Sequence, residues 1–167
     1  AGAEVIGRTF QRIEAPTPNY FLGQGKVEEL KRIPVAAGAT LVLFDEALSP
    51  VQGTNLETAL GLRVMDRTEV ILDIFATRAR SHEAKMQVEL AQLEYLLPRL
   101  TGKGTAMSRL AGGIGGRGPG ETKLEVDRRR VRDRITHLEK QIEALARNRA
   151  QQRARRLRRE VPIISIV

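Results

Sequence analysis

The sequence predicts an α/β fold: a small parallel sheet with flanking helices, followed by a long antiparallel two-helix hairpin, coiled-coil-like, with a glycine-rich tip loop. Three observations carry this. Short apolar runs alternate with helix patterns across the first half, joined by short links. Two heptad-like apolar stripes of matching period occupy the second half. Between those stripes lies GGIGGRGPGETKLE at 112–125, where glycine, proline and arginine precede a helix start.

VIGRTFQRI at 5–13 reads as a strand, and Gly23-Gln24-Gly25-Lys26 leads into a short helix, VEELKR. Leu41-Val42-Leu43-Phe44 is an apolar run ending at Asp45, the pattern of a buried parallel strand. Ser49-Pro50 supplies an N-cap and a first-turn proline; the helix should run to about Leu60, with Gly61 as its stop. Leu62 to Met65 is the next short strand, and Asp66 with Glu69 resembles a capping box for the helix after it.

From His82 to Leu100 a stripe falls at Met86, Leu90, Leu93, Leu97 and Leu100, in steps of 4, 3, 4 and 3 residues. A second falls at Leu124, Val131, Ile135, Leu138, Ile142 and Leu145. Helices carrying such stripes zip together antiparallel when a loop joins them. Pro98 and Gly102-Lys103-Gly104 end the first; Thr122 with Glu125 begins the second, which can reach about Arg159, roughly 54 Å away. The expected organisation is an α/β subdomain over 1–80 and a hairpin over 81–160 with its loop at about 101–121. VPIISIV at 161–167 reads as the first strand of a further domain.

Charge divides along the same line. The net charge is +8. Residues 1–98 carry 10 Lys and Arg against 13 Asp and Glu, while residues 99–167 carry 18 against 7. Such asymmetry points to a polyanion. The loop is longer than the ~2–8 residues that join helices in bundles. It has no acidic residue between Arg99 and Gly120, and Arg99, Lys103, Arg109 and Arg117 are read as its cations. The helix beyond bears Arg128, Arg129, Arg130, Arg132 and Arg134, then Arg153, Arg155, Arg156, Arg158 and Arg159. All six aromatic residues lie at or before Tyr95, so base stacking is not offered in this half. Contact should be with phosphate backbone and shape, steeply dependent on salt, and folded RNA suits a narrow probing tip. The plainer alternative is that arginines pair along the helix, as Arg147 with Glu143, and keep a rigid linker soluble.

Several other classes find little support. Cysteine is absent, which excludes disulfides and thiolate metal sites. His82 and His137 have no metal-ligand spacing around them and read as surface residues. No apolar run approaches a membrane span, and no signal peptide is evident, so the cytoplasm is the expected location. Gly115 to Thr122 nearly fits the phosphate-binding G-x-x-x-x-G-K-[ST], but Glu121 stands where the lysine must meet phosphate, and no strand precedes it. Asp45 and Asp66 end strands where ligands of parallel sheets bind, yet both read better as turn and capping residues.

GGIGGRGPGETKLEVDRRRVRDRI at 112–135 resembles the signature of the HflX family of ribosome-associated GTPases. DRTEVILDIFATRARSHEAKMQVELAQLEYLLPRL at 66–100, NYFLGQGK at 19–26 and LVLFDEALSP at 41–50 are similar to the same family. The resemblance implies a ribosome-binding region that precedes a GTP-binding domain, with VPIISIV as that domain's first strand. It also implies a further strand and helix before Ala1. It implies binding to the large ribosomal subunit near the peptidyl transferase centre, and splitting of stalled or idle ribosomes under stress by the GTP-bound protein. GTP and Mg2+ would be held outside this chain, which alone would not hydrolyse GTP; a monomer is expected. By the same resemblance the RNA contacts fall on Arg109, Gly112, Gly113, Gly115, Arg117, Gly118 and Gly120, with Lys123, Arg128, Arg129 and Arg130 just behind. The alternative is a basic helical RNA-binding or scaffold module without splitting activity.

Overall fold

The structure is a computed structural model that describes residues 4–100 and 123–158, with the backbone alone for 33–37. Element order is α1 (Gln24–Ala37), β1 (Leu41–Leu43), α2 (Pro50–Leu60), β2 (Arg63–Met65), α3 (Arg67–Arg78), α4 (His82–Leu96), a 3-10 turn (Leu97–Arg99) and α5 (Lys123–Arg158). It is an α/β fold with a helical hairpin. The sheet has two parallel strands, in the register Leu41 with Arg63, Val42 with Val64 and Leu43 with Met65.

Local chemistry sets the α2 boundaries. Ser49 adopts an extended backbone, its side chain accepts from the Gln52 N–H, and Gln52 Oε1 accepts from the Ser49 N–H in return. This closes a reciprocal capping box, and Pro50 gives up no hydrogen bond in the first turn. Gly61 stops the helix at φ 66°, a left-handed conformation open to glycine without Cβ strain. Gln52 then reaches back: its Nε2 donates to the Thr17 carbonyl at 2.8 Å, and Asn55 Nδ2 donates to Asn19 O at 3.0 Å. Those bonds tie α2 to the tight turn at Thr17–Leu22, where Thr17 and Phe21 exchange backbone bonds at 3.0 Å and Phe21 sits at φ 65°.

The α/β core gathers Leu22, Val27, Leu30, Leu48, Leu56, Leu60 and Val64 between the sheet, α1 and α2. The expected strand at 5–13 does not form. Residues 4–12 are exposed and carry no ladder, because a strand-like sequence makes a strand only where a partner strand offers its edge. The segment instead borders an open groove of about 450 Å³, together with Val42, Leu43 and Phe44 of the β1 region. The first helix is also longer than VEELKR alone suggested, running 14 residues.

The helical half holds an addition to the expected hairpin. α3 leads away from the sheet and packs on α4, which returns, and α5 leads away again beside it. The α4–α5 seam closes on Met86, Val131 and Leu138, with Leu90, Leu93, Leu97, Ile135, Ile142 and Leu145 half-buried. The antiparallel sense shows in the ion pairs: Glu89 meets Arg134 while the earlier Glu83 meets the later Arg149. α5 has 36 residues against 15 in α4, so it overhangs. From Ala146 to Arg158 every residue is exposed.

Leu138 is fully buried in this seam. Leu138→Ala should cost about 2–5 kcal/mol in urea denaturation, whereas Leu157→Ala on the overhang should fall within about 0.5 kcal/mol. Equal effects would contradict the placement of the seam.

Candidate nucleic-acid interface

The root of the hairpin is held by one polar node. Asp66 ends β2 and is 2% exposed. Its Oδ1 accepts the Glu69 N–H at 2.8 Å, which caps α3, and its Oδ2 accepts the Leu48 N–H at 3.0 Å. The reciprocal half of the expected capping box is not used, since the Glu69 carboxylate meets Arg63 at 2.6 Å instead. Burial raises the Glu69 pKa above the ordinary carboxylate range, against the opposing pull of Arg63.

Arg99 completes the node from the end of α4. Its Nη2 donates to Leu48 O at 2.7 Å and lies 3.4 Å from Asp66 Oδ2; its Nη1 donates to Tyr95 O at 3.0 Å. The guanidinium also stacks over the Tyr95 ring, 3.5 Å from its centroid. Burial pushes the Tyr95 phenol well above its ordinary range, and the neighbouring Asp66 carboxylate pushes it further, although Arg99 pulls the other way. Arg99 was expected among the loop cations. It belongs to the 3-10 turn and its donors are committed inward, because a buried carboxylate and a free carbonyl wait for it across the α/β boundary. Asp66 is accordingly a capping and joining residue, as the sequence suggested. Asp45 is exposed and pairs with Arg67 at 3.1 Å.

This node sits where α4 ends and the glycine-rich loop begins. Arg109, Gly112, Gly113, Gly115, Arg117, Gly118 and Gly120 lie outside the described residues, as does the Thr122 half of the expected capping box. Of the cations behind the loop, Lys123, Arg129 and Arg130 are exposed at the start of α5 and Arg128 is half-buried. Lys123 and Arg130, seven residues apart, share a helix face. Asp127 lies between them, 3.9 Å from Arg130 Nη1. The start of α5 therefore presents four cations beside two carboxylates, Glu125 and Asp127.

Farther along α5, several arginines serve the hairpin. Arg134 forms a two-pronged pair with Glu89 at 2.7 and 2.9 Å, which raises its pKa. Arg149 pairs with Glu83, and Arg147 with Glu143 at 3.4 Å. The expected pairing of Arg147 with Glu143 is present. Among the described residues, no group of three or more His, Cys, Asp or Glu side chains could hold a metal ion. Among them, too, no helix is long and apolar enough to cross a membrane.

A two-stranded parallel sheet joined to a basic helical arm, with a glycine-rich segment between α4 and α5 in sequence, defines a recognisable class. Residues 1–76 match the family described as GTP-binding GTPase N-terminal, and residues 78–156 match the GTP-binding GTPase middle region. Two solved structures share the architecture. One is a GTP-binding protein from the hyperthermophilic archaeon Sulfolobus solfataricus in complex with GDP; it is 26% identical, with a TM-score of 0.53 over 80% of this chain and 35% of its own. The other, an SsGBP and GDP complex, is also 26% identical, with a TM-score of 0.57 over 83% of this chain and 36% of its own. The GTPase HflX of Caldanaerobacter subterraneus subsp. tengcongensis is 53% identical over the whole chain, and that of Escherichia coli strain K12 is 50% identical. The chain belongs to the HflX family of GTPases. It spans 39% of the length of each of these two relatives.

The node and the surface pairs should separate in stability measurements. Arg99→Ala leaves Asp66 buried without its cation and should cost about 3 kcal/mol or more. Arg134→Ala, at an exposed pair, should cost no more than about 1 kcal/mol. Chemical denaturation of both variants measures the difference, and a loss at Arg99 no larger than at Arg134 would remove the node from its joining role.

Proposed function

We propose that this chain is the ribosome-binding region of an HflX-type GTPase. It docks on the large ribosomal subunit, brings the glycine-rich tip to ribosomal RNA near the peptidyl transferase centre, and serves the splitting of stalled or idle ribosomes under stress. The observation that carries this reading is the family match along the whole chain, including the glycine–arginine segment. The charge pattern supports it: the excess of cations lies entirely in the helical half.

In this reading Arg109, Arg117 and the glycines at 112, 113, 115, 118 and 120 form the tip contact. Lys123, Arg128, Arg129 and Arg130 meet RNA phosphates behind it. Arginine's planar fork matches phosphate oxygens, and glycine lets backbone N–H groups approach closely. The α/β part docks and orients the arm, and the Asp66–Arg99 node fixes the direction in which the tip is presented. The expected division into an α/β unit over 1–80 and an arm over 81–160 is part of this proposal. GTP and Mg2+ belong to the portion of the protein outside this chain, because Glu121 occupies the place where a phosphate-binding lysine is required. The protein works as a monomer in the cytoplasm.

A second reading, a basic scaffold without splitting activity, draws on the hairpin-internal pairs of Arg134 and Arg149, which show that part of the arginine content is structural. Co-sedimentation with purified large ribosomal subunits across a salt series discriminates the two. Arg117→Glu should weaken association about tenfold or more while far-UV helicity is unchanged. Unchanged association would take Arg117 out of the contact set, and binding that ignores salt would favour the scaffold.

A further inference from the structure

The packed face of α5 changes its chemistry where α4 runs out. Up to Leu145 the stripe toward α4 is Val131, Ile135, Leu138, Ile142 and Leu145. The helix continues without a break, and the same stripe becomes Arg149, Arg153 and Arg156. Arg149 is spent on Glu83 in the first turn of α4. Arg153 lines an open notch of about 240 Å³ with Glu83, Ala146, Arg149 and Ala150, and beyond it no helix among the described residues lies opposite.

Arg153, Arg155, Arg156 and Arg158 are exposed and have no ion-pair partner among the described residues. No acidic residue occurs from Ala144 to Arg158. Like charges three residues apart, at Arg153–Arg156 and Arg155–Arg158, oppose the helix that carries them. A stretch kept only for solubility would mix signs, as the middle of α5 does with Asp133, Glu139, Lys140 and Glu143. The seam also rejects two kinds of cover. An apolar helix would strand these guanidiniums, and a second copy would set arginine against arginine. The complementary occupant is a polyanion. From Ala146 to Arg158 there is no aromatic residue and a single large apolar one, Leu157, so the stretch offers forks for phosphate and little for a folded protein surface.

We propose that Arg153, Arg155, Arg156 and Arg158 form a second phosphate-binding surface for RNA, at the end of the arm opposite the glycine-rich tip. It deepens the reading of the chain as an RNA-binding arm and rests on it. Arg130 and Arg153 are 23 residues apart on one straight helix, about 34 Å. The two surfaces therefore meet separate stretches of RNA, and together they raise affinity through tethering.

The test uses the full chain, purified large ribosomal subunits and the protein-free RNA extracted from them. Binding is measured against potassium chloride for three variants: the heel R153Q/R155Q/R156Q/R158Q, its conservative counterpart with lysine at the same four positions, and the tip R109Q/R117Q. Four phosphate contacts predict that the heel glutamine variant flattens the log–log salt slope by about 3 on both probes, with helicity unchanged. The lysine variant should keep its slope within about one unit of the unsubstituted chain, since the charge persists. A heel slope equal to the unsubstituted chain overturns the proposal. So does a loss confined to intact subunits, which assigns the surface to a ribosomal protein. A flattened heel slope beside an unaffected tip variant supports the heel and removes the tip reading instead.

Discussion

The arrangement depends on a single buried carboxylate. Asp66 ends a strand, caps a helix, anchors the start of α2 through Leu48, and receives the arginine that ends α4. A charge so enclosed is tolerable only when its oxygens are fully engaged. Here two backbone N–H groups and the Arg99 guanidinium engage it, contributed by three different segments of the chain. The same atoms that satisfy the carboxylate therefore hold the α/β layer and the arm in one relation. Apolar packing across this boundary is modest: α3 has no buried residue, and Ile71, Ile74 and Phe75 are left substantially exposed. Directional hydrogen bonds supply the orientation that a larger apolar interface would otherwise give.

The arginines of α5 divide by what faces them. Opposite α4 they find Glu83 and Glu89 and become part of the hairpin. Past the reach of α4, Arg153, Arg155, Arg156 and Arg158 are exposed, and in the first turns of α5 Arg129 and Arg130 are exposed while Arg128 is half-buried. A uniform count of basic residues would have missed this division. It follows from the difference in length between two helices, and it leaves the centre of the arm nearly self-neutralised and its extremities cationic.

Much of the architecture was legible because its signals are local. Ser49-Pro50 and Gly61 bound α2 as written, since a cap and a left-handed stop act within a few residues. The 4–3 spacing of Leu and Ile gave the hairpin, since helix periodicity and packing face are one geometric fact. VIGRTFQRI misled because β-branched and aromatic residues record a willingness to extend, whereas a strand also needs a neighbour whose position is set elsewhere in the chain. Arg99 misled for a related reason. Its partners lie 33 and 51 residues upstream, and only the folded chain brings Asp66 and Leu48 beside it. Tyr95 carried no sequence signal at all, since a helical tyrosine on a half-buried face ordinarily just packs. The tip residues read from the glycine–arginine segment lie outside the described residues and rest on family membership and charge.

The unequal helices have a mechanical side. α5 is a single rod of about 53 Å that meets the Leu97–Arg99 turn, packs on α4 as far as Arg149 and is exposed over its final third. The two helices turn together: a tilt of the pair by about 5° about its Arg99 end swings Arg158 by roughly 5 Å over that span. Small rotations at the Asp66–Arg99 node are therefore enlarged at the Arg158 end of the arm.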